Sequence, residues 1–164
     1  MTRTTAASRV ASRYLQAQDE GPQTMLRDLL AYLRAMHFVH WTTHWQVKGD
    51  PYYGDHLLFQ RMYEAMPEEI DTLAEKIVAD FGPEAVAAPD QVVHMAAEVD
   101  LLYEEDTDPI ERALAMEQAL QDDLKDIFDT LEKQGAMSLG MEDFLAALAS
   151  AHETNIYLLR QRTR

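Results

Sequence analysis

Residues 82–108 read GPEAVAAPDQVVHMAAEVDLLYEEDTD, and the fold turns on what this stretch connects. Gly82-Pro83 opens it, Pro89 interrupts it, and Asp106-Thr107-Asp108-Pro109 closes it, all turn and breaker signals. Two long stretches of helical periodicity lie upstream, parted only by Gly49-Asp50-Pro51. Two more lie downstream, parted by the segment from Gly135 to Gly140. The outer two connections are turns, whereas the central one is long enough to cross a bundle. It also has room for a short helix over about Asp90–Tyr103.

The first long helix is predicted from about Gln23 to Val47, with a stripe of Leu26, Leu30, Leu33, His37, His40 and His44 stepping by three and four. The second runs from about Asp55 to Phe81 through Leu58, Met62, Ile70, Leu73 and Ile77, with a local bend expected at Pro67. The third opens on Asp108, a cap residue followed by proline, and runs to about Gln134 through Ala113, Met116, Leu120, Leu124, Ile127 and Leu131. The fourth spans about Leu139–Gln161 through Phe144, Leu148, Ala151, Asn155 and Leu158. The expected class is all-α: a four-helix bundle, residues 23–164, preceded by a flexible tail, residues 1–22. One long crossover is the ferritin-like topology, whereas short loops throughout would give a plain up-and-down bundle.

With 164 residues and 47% apolar content, the chain is a single domain able to bury a core. There is no cysteine, which excludes a disulfide scaffold, thiolate-ligated metals and a thiol nucleophile. No apolar run reaches the length of a membrane span, and the first residues hold no secretory signal, so a cytoplasmic protein is expected. Acidic residues outnumber basic ones 29 to 14, for a net charge of −15. A field of that sign repels phosphate backbones and draws cations.

Four of the six histidines fall between His37 and His56. A histidine on an apolar helix face is more often a core residue than a ligand, but three on one stripe weaken that explanation. Asp71 and Glu75 stand one turn apart on the second helix, and the simple reading is a solvated acidic face with Glu68 and Glu69. His56, Asp71 and Glu75 share one broad face, since fifteen residues leave about 60° of net rotation. They do not share one place, because the same fifteen residues span roughly 22 Å. Two copies of the helix packed antiparallel about a two-fold axis bring the His56 end of one to the Asp71/Glu75 segment of the other. His44 joins through the hairpin turn. The result is two imidazoles and two carboxylates with open positions, suited to Fe(II) or Zn(II). No histidine has glutamate three residues before it, which counts against a metal centre inside one subunit's bundle. Neither a His-Glu-x-x-His motif nor a nucleophile elbow is present. Trp41 and Trp45, flanking His44, are expected to pack in the core or an interface.

The run His44-Trp45-Gln46-Val47-Lys48-Gly49, then His56, then Asp71-Thr72-Leu73-Ala74-Glu75-Lys76, resembles the signature of the Dps family, the miniferritins. The resemblance is dense from His44 to Ile77. It implies a ferritin-like bundle assembled into a hollow dodecamer. It implies Fe(II) oxidation, by hydrogen peroxide or dioxygen, at two-fold interfaces, with ferric mineral stored inside. His44 and His56 would come from one subunit, and Asp71 and Glu75 from its partner. One position departs from the family pattern: where an aspartate is usual, four residues after the second histidine, this chain has Gln60. An amide binds iron more weakly than a carboxylate. That leaves the second metal position incomplete, with His152 a candidate to complete it and zinc a possible occupant. The resemblance also puts Glu142 and Asp143 at three-fold pores, although acids there equally offset a helix dipole. Tail arginines, Arg3, Arg9 and Arg13 with Arg160, Arg162 and Arg164, are few against the net charge, so weak or no DNA binding is expected. The competing readings are a DNA-compacting protein and a zinc-preferring variant with little ferroxidase activity.

Overall fold

Each long helix opens and closes where the local chemistry permits. In the computed structural model, which describes residues 21–103 and 107–163, helix α1 spans Pro22–Gln46 and α2 spans Tyr52–Phe81. A single 3₁₀ turn covers Pro83–Val86, and α3 covers Ala88–Leu102. Helix α4 runs over Pro109–Lys133 and α5 over Leu139–Arg162. No strand occurs among the described residues. The tail arginines Arg3, Arg9, Arg13 and Arg164 lie outside them, as does the rest of residues 1–20.

Asp108 caps α4 by accepting from the Ile110 and Glu111 amides at 2.9 and 3.2 Å. Ser138 caps α5 through the Met141 amide at 3.1 Å. Helix α2 ends at Gly82, whose φ of 84° lies in the left-handed region that glycine adopts without strain. It begins at Tyr52, a turn earlier than expected, because the Tyr52 amide already bonds Gly49 O at 3.0 Å. Pro67 sits inside α2 on its exposed side, and the helix continues across it.

Helices α1 and α2 form one hairpin and α4 and α5 the other, with the crossover carrying α3 against α1. This is the expected bundle with one long crossover. Asp55, near the start of α2, pairs with Arg162 at the end of α5 through bonds of 2.7 and 3.2 Å. Lys76, near the end of α2, donates to Gly140 O at the start of α5 at 2.8 Å. The two helices are therefore antiparallel.

The core has two apolar parts. The larger gathers Leu26, Leu29, Leu30, Leu33 and Met36 with Leu73, Ile77, Leu120, Ile127 and Leu148. The smaller holds Phe59, Met62, Ile110, Ala113 and Leu159. Helices α1, α4 and α5 also bury polar side chains: His40, Glu117, His152 and Asn155. No helix among the described residues is long and apolar enough to cross a membrane.

Candidate metal centre

The hairpin joining α1 to α2 places His44 and His56 face to face. Their rings stack with centroids 3.6 Å apart and planes 23° from parallel. His44 Nδ1 lies 2.8 Å from His56 O, and His56 Nδ1 lies 2.9 Å from His44 O. A carbonyl oxygen only accepts, so each Nδ1 carries the proton and donates. In the neutral ring this tautomer leaves the lone pair on Nε2, the atom that would ligate a metal. Tyr63 meets His44 edge-on at 5.2 Å, and Tyr52 stacks on His56 at 5.2 Å.

This pair sits in an exposed aromatic surface. Trp45 is 63% exposed, and Trp41, Tyr52, Tyr53 and Leu57 are exposed with it. Trp41 packs against both Trp45 and Tyr63. Large apolar side chains exposed close together are a common feature of interaction surfaces.

Asp71 and Glu75 lie on α2, both exposed. At ~1.5 Å rise per residue, Asp71 stands about 22 Å and Glu75 about 28 Å along the helix from His56, so one protomer does not bring the four side chains together. Among the described residues no group of three or more histidine, aspartate or glutamate side chains is gathered around one point. Gln60, one turn beyond His56, donates from Nε2 to Glu64 Oε1 at 2.7 Å. Glu142 and Asp143 are exposed near the start of α5, and Glu142, in its first turn, also complements the helix dipole.

His152 is placed elsewhere, in the bundle interior. Its Nδ1 lies 2.6 Å from Glu117 Oε2 and its Nε2 lies 3.3 Å from Glu69 Oε2. Asn155 donates to Glu117 Oε1 at 3.2 Å. Burial pushes the His152 imidazole down, but the hydrogen bonds and charges of Glu117 and Glu69 outweigh it and raise the group to about 9. Burial pushes the Glu117 carboxyl up, and its histidine partners more than reverse that, so it stays below the ordinary carboxylate range. His40 is 1% exposed, its Nε2 3.6 Å from Glu117 Oε1 and neither ring nitrogen hydrogen-bonded. His37, on the same stripe, turns to Trp41 and Tyr63; burial and His40 hold it below the usual histidine range. Sequence reasoning did not single out Glu117. Its signal was a lone carboxylate in the otherwise apolar stripe of α4, between Met116 and Leu120.

No family model and no curated protein matches the chain. Solved structures do. A Dps protein from Vibrio cholerae O1, described as a member of a superfamily of ferritin-like diiron-carboxylate proteins, aligns at 18% identity and TM-score 0.72, over 90% of this chain and 92% of its own. DpsC from Streptomyces coelicolor aligns at 23% identity and TM-score 0.73, over 87% and 83%. Dps from Mycobacterium smegmatis aligns at 19% and 0.69, over 86% and 85%. The resemblance read from His44 to Ile77 thus holds at the level of architecture, and this chain has the ferritin-like fold of the Dps structures.

Proposed function

We propose that this chain is a miniferritin of the Dps kind, a cage-forming homo-oligomer, dodecameric by that likeness, that oxidises Fe(II) and stores the ferric product. The observation that carries the proposal is the reciprocal pair of ring-to-carbonyl hydrogen bonds between His44 and His56. Those bonds hold two lone pairs ready for a cation at the edge of an exposed aromatic surface. The ligands that would complete the site, Asp71 and Glu75, are exposed on the same helix and beyond reach within one protomer. A two-fold partner supplies them. Burial of Trp45 and its neighbours in that contact answers the exposure of the patch.

In this reading Fe(II) is the substrate. His44 and His56 bind it as neutral imidazoles, while the partner subunit's Asp71 and the partner subunit's Glu75 hold it as its charge rises. Carboxylates favour the higher oxidation state, which biases the site toward oxidation. One hydrogen peroxide takes two electrons from two Fe(II) ions and two protons from solvent, and leaves as two waters. Gln60 offers only an amide oxygen, so a second iron position is weaker than the first, and zinc competes there. Glu142 and Asp143 are proposed to line the cation's way in.

The test is stopped-flow Fe(II) oxidation with peroxide, on the wild type and on His56→Ala and Glu75→Ala. Both variants lose the fast phase by at least tenfold, with the oligomer intact by size-exclusion chromatography. Fast kinetics retained in both variants overturns the assignment. Zinc recovered with the wild type together with slow oxidation selects the zinc-preferring variant instead.

A further inference from the structure

The first turn of α2 is built from weak parts. Pro51 precedes it, no side chain caps it, and Gly54 lies within it. A glycine there costs about 1 kcal/mol against alanine, and an uncapped start about as much again. Tyr52, Tyr53 and Gly54 are exposed, so Asp55 is the one residue of the turn that is buried. An acid at a helix start ordinarily serves the free amides. Asp55 turns away from them to Arg162, in the last turn of α5, and accepts from its Nε at 2.7 Å and its Nη2 at 3.2 Å. A two-point bond between a guanidinium and a carboxylate fixes orientation as well as distance. This one ties the start of α2 to a helix end 107 residues further on. From Phe59 onward α2 is held by its own buried side chains and needs no such tie.

His56 is the next residue in the chain. Its backbone carbonyl accepts from His44 Nδ1, and its own Nδ1 donates to His44 O. Movement of the α2 backbone at residues 55–56 therefore disturbs both rings at once. We infer that Arg162 is a positioning residue for the His44/His56 pair: acting through Asp55, it holds the first turn of α2, and with it the two imidazoles, in register. The Arg162 side chain is 42% exposed, whereas that of Asp55 is 8% exposed. The two form one wall of an open cleft lined by Pro51, Gly54, Leu58 and Leu158. A shorter side chain at position 162 thus leaves room for solvent rather than a void in the core, and the bundle stays folded without the arginine. The bearing of Arg162 on iron rests on the subunit-interface reading, whereas its hold on the two rings does not.

The test compares the full-length wild type with Arg162→Gln and Arg162→Lys, first without metal. Deuterium exchange at the imidazole C2 position is read for each histidine by mass spectrometry. His44 and His56 exchange at least threefold faster in Arg162→Gln, and the backbone amides of residues 55–58 at least tenfold faster. His40 and His152, buried in the bundle, are unmoved and serve as controls within the same chain. Arg162→Lys restores part of the protection, because the ammonium keeps a charge on Asp55 while losing the fork. With Fe(II) and peroxide, Arg162→Gln raises KM for Fe(II) at least fivefold and leaves kcat within twofold, since the disordered pair must be aligned before the ion binds. A wild type that does not oxidise Fe(II) overturns the interface reading, and the ring exchange then decides the role of Arg162 by itself. Exchange at His44 and His56 unmoved by Arg162→Gln, or moved as much at His40 and His152, overturns the inference. An unmoved KM in a protein that does oxidise Fe(II) overturns it as well.

Discussion

The His152 clamp makes the stability of the metal-free bundle depend on pH in a direction fixed by its geometry. In the fold the imidazole titrates at about 9, against 6.5 for the free side chain. The folded value is the higher one, so the stabilisation is fully present below pH 6.5 and is lost as pH rises toward 9. At ~1.36 kcal/mol per unit, that difference is worth about 3 kcal/mol. The depression of Glu117 is the same pairing seen from its other end and adds nothing to this figure. For a chain of this size, about 3 kcal/mol moves the melting midpoint by roughly 6–12 °C. The measurement is calorimetric melting in the presence of a chelator from pH 6 to 9.5, on the wild type and His152→Gln at equal protein concentration. Glutamine keeps a donor but does not titrate, and groups common to both proteins cancel in the difference. The wild type's advantage should shrink by about the stated amount between pH 6.5 and 9. Two curves that run parallel across that window refute the reasoning.

Three further outcomes are expected. Phe59→Ala, at a fully buried position in the smaller apolar cluster, costs ~3–5 kcal/mol in urea unfolding, and a loss under ~1 kcal/mol contradicts the packing. Trp45 emission shifts to the blue when dissociated protomers reassemble, if the proposed two-fold contact at His44/His56 covers its exposed ring; an unchanged spectrum places the interface elsewhere. Gel-shift titration shows no DNA retention at physiological salt, since the net charge of −15 repels the duplex and Arg162 is already paired with Asp55; a firm shift there makes DNA a partner.

The helices and their order were legible because the signals are local. Apolar spacing, the Asp108-Pro109 start and the breakers at Gly82-Pro83 each act within a few residues, and the structure follows them closely. The His44/His56 pair was legible for the same reason, since twelve residues around a tight hairpin leave few places for either ring. What the sequence did not disclose is which histidine of the stripe faces inward. His37, His40 and His44 share a spacing, yet His37 meets Trp41 and Tyr63, His44 meets His56, and His40 enters the core. A helical stripe is about 100° wide, so periodicity does not separate its centre from its rim.

Glu69 shows the same boundary more sharply. By sequence it belongs with Glu68 to a solvated acidic face, whereas in the fold it turns to His152 on α5. Glu117 and His152 are thirty-five residues apart, and their contact exists only because α4 and α5 pack as one hairpin. The sequence alone determined the elements, the one long crossover and the excess of negative charge, all of which follow from neighbours in the chain. The tertiary structure decided which charges are buried together, because desolvation and pairing depend on the walls that other helices build around a side chain.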